Sequence, residues 1–116
     1  MELNHKLEQI DSLKAELDAL GPLDPDAKER LAQKIRMEWN FHSNVIEGNE
    51  LTYGETRSLL ISGITANGKS LKDHLDMKGH NEALKKLEQM ADREVKITEK
   101  LIREFHEIIL VDPYKD

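Results

Sequence analysis

Ser43 and Glu47 stand four residues apart near the end of an amphipathic stretch, so on a helix they share one face. They continue a row of Leu31, Ile35 and Trp39, whose apolar character predicts an inward orientation. A carboxylate on an inward row needs a partner, because a buried unpaired charge is costly. Glu47 also falls in the last turn before Gly48-Asn49, where the carbonyl end of the helix disfavours an anion. Two local rules are thus broken at one residue, and such conflicts concentrate at functional sites. Pattern alone gives equal weight to a plainer reading, a surface glutamate on a helix whose row has turned towards solvent.

Other residue sets with chemical potential are weaker. Gly63 to Ser70 (GITANGKS) matches the phosphate-binding pattern G-x-x-x-x-G-K-[ST]. A working loop of that kind follows a buried strand and opens a helix, with backbone N–H groups cradling the phosphates. Here the preceding residues, Glu55 to Ser62, read as helix, and no later apolar strand ends in an acid to help hold magnesium. The five histidines, His5, His42, His74, His80 and His106, form no H-E-x-x-H pattern and no i, i+4 pair. His74 and His80, with Asp73 and Asp76 nearby, come nearest to a metal cluster. Zinc needs three or four converging ligands, so hydrogen-bonded or solvated histidines are the preferred reading and no metal site is expected. No Ser-His-Asp or Cys-His arrangement has a usable spacing, and no catalytic residue is expected in this chain.

The elements that must position these residues are helical. With 116 residues, the chain has room for one domain with one core, expected over 1–116. Charged residues make up 34% and aromatics 4%, a balance that favours amphipathic helices over sheets. A net charge of −6 with no basic stripe argues against a nucleic-acid partner. The absence of cysteine leaves no disulfide or zinc-thiolate framework and fits a reducing cytoplasm. Charges throughout Met1 to Leu20 argue against a signal peptide, and no apolar run suits a membrane span.

Leu3, Leu7, Ile10, Leu13, Leu17 and Leu20 place one stripe on a first helix, expected to pack on the rest of the domain or on a second copy. Gly21-Pro22 stops it. Asp24-Pro25 opens the second helix, about 25–48, with Asp as N-cap and Pro at the first helical position. Met37, Phe41 and Val45 form a second apolar row on it. Thr52-x-x-Glu55 has capping-box spacing and opens a third helix, with Leu59, Leu60 and Ile61, that ends at Gly63. Ile64 to Lys69 is a turn around Asn67-Gly68. Ser70 caps a fourth helix running to about Arg93, with Leu71, Leu75, Leu84, Leu87 and Met90 as its apolar positions. Gly79 sits in its middle, either for close packing or as a weak point. A fifth helix starts near Thr98 and closes at Asp112-Pro113. The expectation is an all-α fold of about five helices.

Ser43-Asn44-Val45-Ile46-Glu47-Gly48-Asn49 resembles the inhibitory motif of Fic proteins, Ser/Thr-x-x-x-Glu-Gly/Asn. Ile46 to Thr52, then Glu55-Thr56-Arg57 and Leu59-Leu60, resemble the continuation found where Fic proteins carry their inhibitor N-terminally. Gly68-Lys69-Ser70-Leu71 with His80-Asn81-Glu82-Ala83 resembles the family's G-K-[SP]-L turn and following helix, which accounts for the phosphate-loop match. The three blocks, in order and at family spacing, cover about Trp39 to Leu87.

The resemblance implies specific chemistry. Fic enzymes transfer AMP from ATP to a hydroxyl side chain of a target protein, with Mg²⁺. Their catalytic loop reads His-Pro-Phe-x-Asp/Glu-Gly-Asn-Gly-Arg, and the inhibitory glutamate pairs with an arginine of that loop and obstructs placement of the ATP γ-phosphate. In some relatives the same glutamate helps to remove AMP. The implied inhibitory residues here are Ser43, Glu47, Gly48 and Asn49. This sequence departs from the pattern in holding neither His-Pro-Phe nor Gly-Asn-Gly-Arg. It is therefore expected to bind no ATP or Mg²⁺ and to be inactive alone, serving as the self-inhibitory N-terminal part of a Fic-type enzyme. Its partner would be the catalytic core on the same chain or a separate one, and the target protein would be met by the full-length enzyme. The alternative is a stand-alone, antitoxin-like inhibitor of a separate Fic enzyme. A homo-oligomer through apolar helix faces is a further expectation.

Overall fold

The structure is a computed structural model that describes residues 2–115. Five α-helices follow in order: α1 (Glu2–Ala19), α2 (Pro25–Ile46), α3 (Tyr53–Ser62), α4 (Leu71–Ala91) and α5 (Glu99–His106). A π-helical turn, Glu107–Val111, and a 3-10 turn, Asp112–Tyr114, complete the order. No strand occurs among the described residues, so the all-α, five-helix expectation holds. None of their helices is long and apolar enough to cross a membrane.

The helix starts follow local side-chain chemistry. The Asp24 carboxylate accepts from the Ala27 N–H at 3.3 Å, and Pro25 is the first residue of α2. Thr52 and Glu55 form a reciprocal capping box on α3. Ser70 accepts from the Asp73 N–H, and Thr98 from the Leu101 N–H. Each of these caps satisfies a donor that the helix itself cannot.

The chain divides into two compact units, Met1–Ala32 and Gln33–Asp116, with the division falling inside α2. In the first, the stripe from Leu3 to Leu20 is exposed along its length and no residue of α1 is buried.

The second unit holds the core. Leu51, Leu59 and Met77 bury together, with Leu60 and Ala66 packed against them. The later half of α2 lies against α4 through polar groups: Arg36 pairs with Glu88 at 2.6 Å, and Asn40 donates to Asn81 at 2.8 Å.

The expected end of the fifth helix needs correction. Regular α-geometry stops at His106, and Pro113 lies within the 3-10 turn. A proline ring clashes with the carbonyl four residues earlier in an α-helix, here that of Ile109, and the widened turn relieves that clash. These turns pack on α4 at Gly79, where an added Cβ would sit 2.5 Å from Pro113 Cγ and 2.8 Å from the Ile109 carbonyl oxygen. Gly79 thus serves close packing.

Candidate regulatory site

The end of α2 is tightly closed. Gly48 takes φ 92°, a left-handed conformation that costs glycine little. The Asn49 N–H reaches back to the Asn44 carbonyl at 2.9 Å, and the Gly48 N–H to that of Val45 at 3.0 Å. This pair of bonds is a Schellman closure, with Glu47 as the C-cap residue. Glu47 therefore lies just past the last helical residue, not inside the final turn as the sequence suggests.

Of the two readings that the pattern left open for Glu47, the structure fits the one that turns it towards solvent. Trp39 is 48% exposed, Leu31 and Ile35 are similarly open, and Glu47 is exposed. The face of α2 that packs inward is instead that of Asn40 and Asn44, one position further round the helix. Glu47 is thus no buried charge, and none of the ion pairs among the described residues includes it.

Ser43, Glu47, Gly48 and Asn49 come together along one side of a cleft of about 580 Å³ within the second unit. Asp73, Asp76 and His80 of α4 and Tyr114 also line it. Two struts tie the turn after α2 to α4. The Asn49 side-chain amide donates to the Asp73 carbonyl at 2.9 Å, and the Asp73 carboxylate accepts from the Glu50 N–H at 3.0 Å. Asn49 Oδ1 also accepts from the Leu51 N–H at 3.0 Å. From the other side, Lys69 donates to the Glu50 carbonyl at 2.9 Å and pairs with Glu55 at 3.5 Å. The Thr52 backbone N–H, with the Thr52 hydroxyl and Lys69 adding to it, holds the Glu55 carboxyl below its ordinary range.

Along the cleft wall runs an amide–imidazole chain, its asparagines buried and His80 partly so. Asn40 Nδ2 donates to Asn81 Oδ1, which leaves Asn40 Oδ1 to accept from His80 Nδ1 at 2.7 Å. Asn44 donates to the Asn40 carbonyl at 2.8 Å. Burial pushes the His80 pKa down. At the cleft's far side the Tyr114 hydroxyl donates to Asp76 at 2.6 Å, and that bond raises the phenol's pKa.

The GITANGKS segment is a turn between α3 and α4, preceded by helix, and its lysine is already engaged by Glu50 and Glu55. His74 fixes it: Nδ1 donates to the Ser70 carbonyl at 2.7 Å, and Nε2 accepts from the Ala66 N–H at 2.9 Å. Both ring nitrogens are committed to backbone, which leaves none for a metal. Among the described residues no group of three or more His, Asp or Glu could hold a metal ion.

Sequence reasoning missed Asn40, Asn44, Asp73 and Tyr114 as parts of this region. Only the asparagines left a trace, since two poor helix formers four residues apart inside a helix call for a reason.

The described residues thus form an all-α arrangement with the end of α2 held against α4, and comparisons with known proteins give its relatives. A Fic domain containing signaling protein from Bacteroides thetaiotaomicron superposes with a TM-score of 0.81 at 43% identity, over 90% of this chain and 40% of that one. The protein adenylyltransferases Fic of Drosophila melanogaster and Drosophila sechellia are each 35% identical over 114 residues, covering 93% of this chain. No family model matches the chain. The chain spans 22% of the length of those fly proteins. It belongs to the Fic family, as a counterpart of one segment of these longer proteins.

Proposed function

We propose that this chain is the self-inhibitory segment of a Fic-type protein AMP-transferase, and that Glu47 is its inhibitory group. The observation that carries this reading is the state of Glu47: exposed at a rigidly closed helix end, beside Ser43, on the wall of a cleft. A carboxylate at the carbonyl end of a helix is disfavoured until a cation reaches it. An arginine of the family's catalytic loop would supply that cation. Pairing would take the arginine away from the ATP phosphates, because a charge-assisted contact competes directly with substrate. The chemistry of AMP transfer itself belongs to that loop and not to residues of this chain.

The test uses this segment joined to its catalytic core, incubated with labelled ATP and magnesium, with self-modification as the readout. Glu47→Gly is expected to raise transfer by about tenfold or more, the worth of one charge-assisted hydrogen bond. Ser43→Ala is expected to change it less, since a hydroxyl can at most orient the glutamate. If Glu47→Gly stays folded and is no more active than wild type, Glu47 is an ordinary helix-end carboxylate and the reading is wrong.

A further inference from the structure

We propose that Asp73 is a positioning residue for Glu47: with Asn49 it forms a two-strut clamp that fixes the direction in which the inhibitory carboxylate leaves α2. This inference rests on the inhibitory reading of Glu47 and adds a residue on another helix to that site.

Asp73 lies in the first turn of α4, and it meets the turn after α2 with both its backbone and its side chain. Its carbonyl oxygen accepts from Asn49 Nδ2 and its carboxylate from the Glu50 N–H, at 2.9 and 3.0 Å. The residues clamped are the second and third after Glu47. The Asn49 N–H closes back onto the Asn44 carbonyl, so residues 44–49 form a short closed loop that contains Glu47. Rotation of the Glu47 backbone would have to break either the helix closure or a strut. Asp73 is itself held by its N–H on the Ser70 hydroxyl, at the start of a helix whose N-terminal end favours a carboxylate.

The two struts are also separable by chemistry. Asp73→Asn keeps an oxygen for the Glu50 N–H and loses only charge. Asp73→Ala deletes the side-chain strut and leaves the carbonyl for Asn49. Asn49→Asp keeps the acceptor for the Leu51 N–H and loses the donor to Asp73.

The experiment uses the segment joined to its catalytic core and reads two quantities, self-modification with labelled ATP and amide hydrogen exchange of residues 47–51. Asp73→Ala is expected to raise transfer roughly threefold to tenfold, below the gain of Glu47→Gly, as befits one hydrogen bond acting through another group. Asp73→Asn should stay close to wild type, and Asn49→Asp should resemble Asp73→Ala. In the Glu47→Gly background Asp73→Ala should add nothing, because no carboxylate is left to position. Exchange at Glu50 should speed up in Asp73→Ala and not in Asp73→Asn.

Unchanged exchange at Glu50 in Asp73→Ala overturns the clamp. Faster exchange with unchanged transfer, while Glu47→Gly is active, overturns the positioning role and leaves the inhibitory reading standing. A further rise of transfer in the double variant does the same, since the effect would then not pass through Glu47. A Glu47→Gly variant that gains nothing overturns the inhibitory reading first and this inference with it.

Discussion

On one side of α2, Asn40 and Asn44 are buried and joined by directed hydrogen bonds to Asn81, His80 and the backbone. On the neighbouring side, Ile35 and Trp39 are about half exposed and lead along the helix to Ser43 and Glu47. Hydrophobic patterning assigns the two sides the other way round. The difference shows that the packed side of α2 is set by polar geometry. Each buried amide has its partners, and no buried side-chain nitrogen or oxygen among the described residues is left unsatisfied. Such a network fixes one register of α2 on α4, because a slide by one residue would orphan several groups at once. The apolar side carries no such constraint within these residues.

The largest expected effect lies on the polar side. Asn40 is 0% exposed and makes three bonds: one donated to Asn81, one accepted from His80, and one accepted by its backbone carbonyl from Asn44. Asn40→Leu keeps the number and branching of side-chain heavy atoms but leaves His80 Nδ1 and Asn81 Oδ1 without partners. Unfolding by urea should show a loss of about 2–4 kcal/mol. A loss below about 0.5 kcal/mol would mean that water replaces the network and that polar geometry does not set the packing.

His80 gives a smaller, pH-dependent test of the same side. Burial holds its folded-state pKa below the ordinary 6.5. The unfolded chain therefore takes up the proton first as pH falls, and stability declines with it. The contribution is whole above about pH 6.5 and is lost as pH falls through the lowered folded-state value. Thermal midpoints between pH 8 and 5 should fall more for wild type than for His80→Gln. Parallel curves would show that His80 titrates as a solvated ring and that its bond to Asn40 is not what holds the helices.

The fold was legible in the sequence because its punctuation is local. The capping box at Thr52-Glu55, the N-caps at Ser70 and Thr98, and the stops at Gly48 and Gly63 each act within a few residues, so spacing reveals them. Ser43, Glu47, Gly48 and Asn49 also stand within one short stretch, and the structure gathers all four at one cleft. What was not legible depends on pairs far apart in sequence. Asp73 and Glu50 are 23 residues apart, Asn40 and Asn81 are 41 apart, and Tyr114 and Asp76 are 38 apart. Nothing in the local pattern around Asp73 distinguishes a clamp from an ordinary first-turn carboxylate. The same limit explains the misassigned face of α2, since an apolar row reports what a helix is able to bury and not what lies beside it. The wide turn after His106 was hidden because it answers to Pro113 and Gly79 together, 34 residues apart.

The smallest expected effect is on the apolar side. Trp39 is the largest side chain on that row and about half exposed. Trp39→Gln removes a ring about half of which is already in water, so in this chain alone the stability loss should stay at or below about 1 kcal/mol. Joined to a catalytic core, the same change should cost about 1–3 kcal/mol, as expected when a large side chain lies in an interior packed on both sides. The measurement is a pair of urea titrations, with and without the core, each repeated at two protein concentrations. A large loss in the chain alone would contradict the exposed row. If that loss also grew with concentration, Trp39 would be buried between copies, and the row leading to Glu47 would serve self-association and not the core.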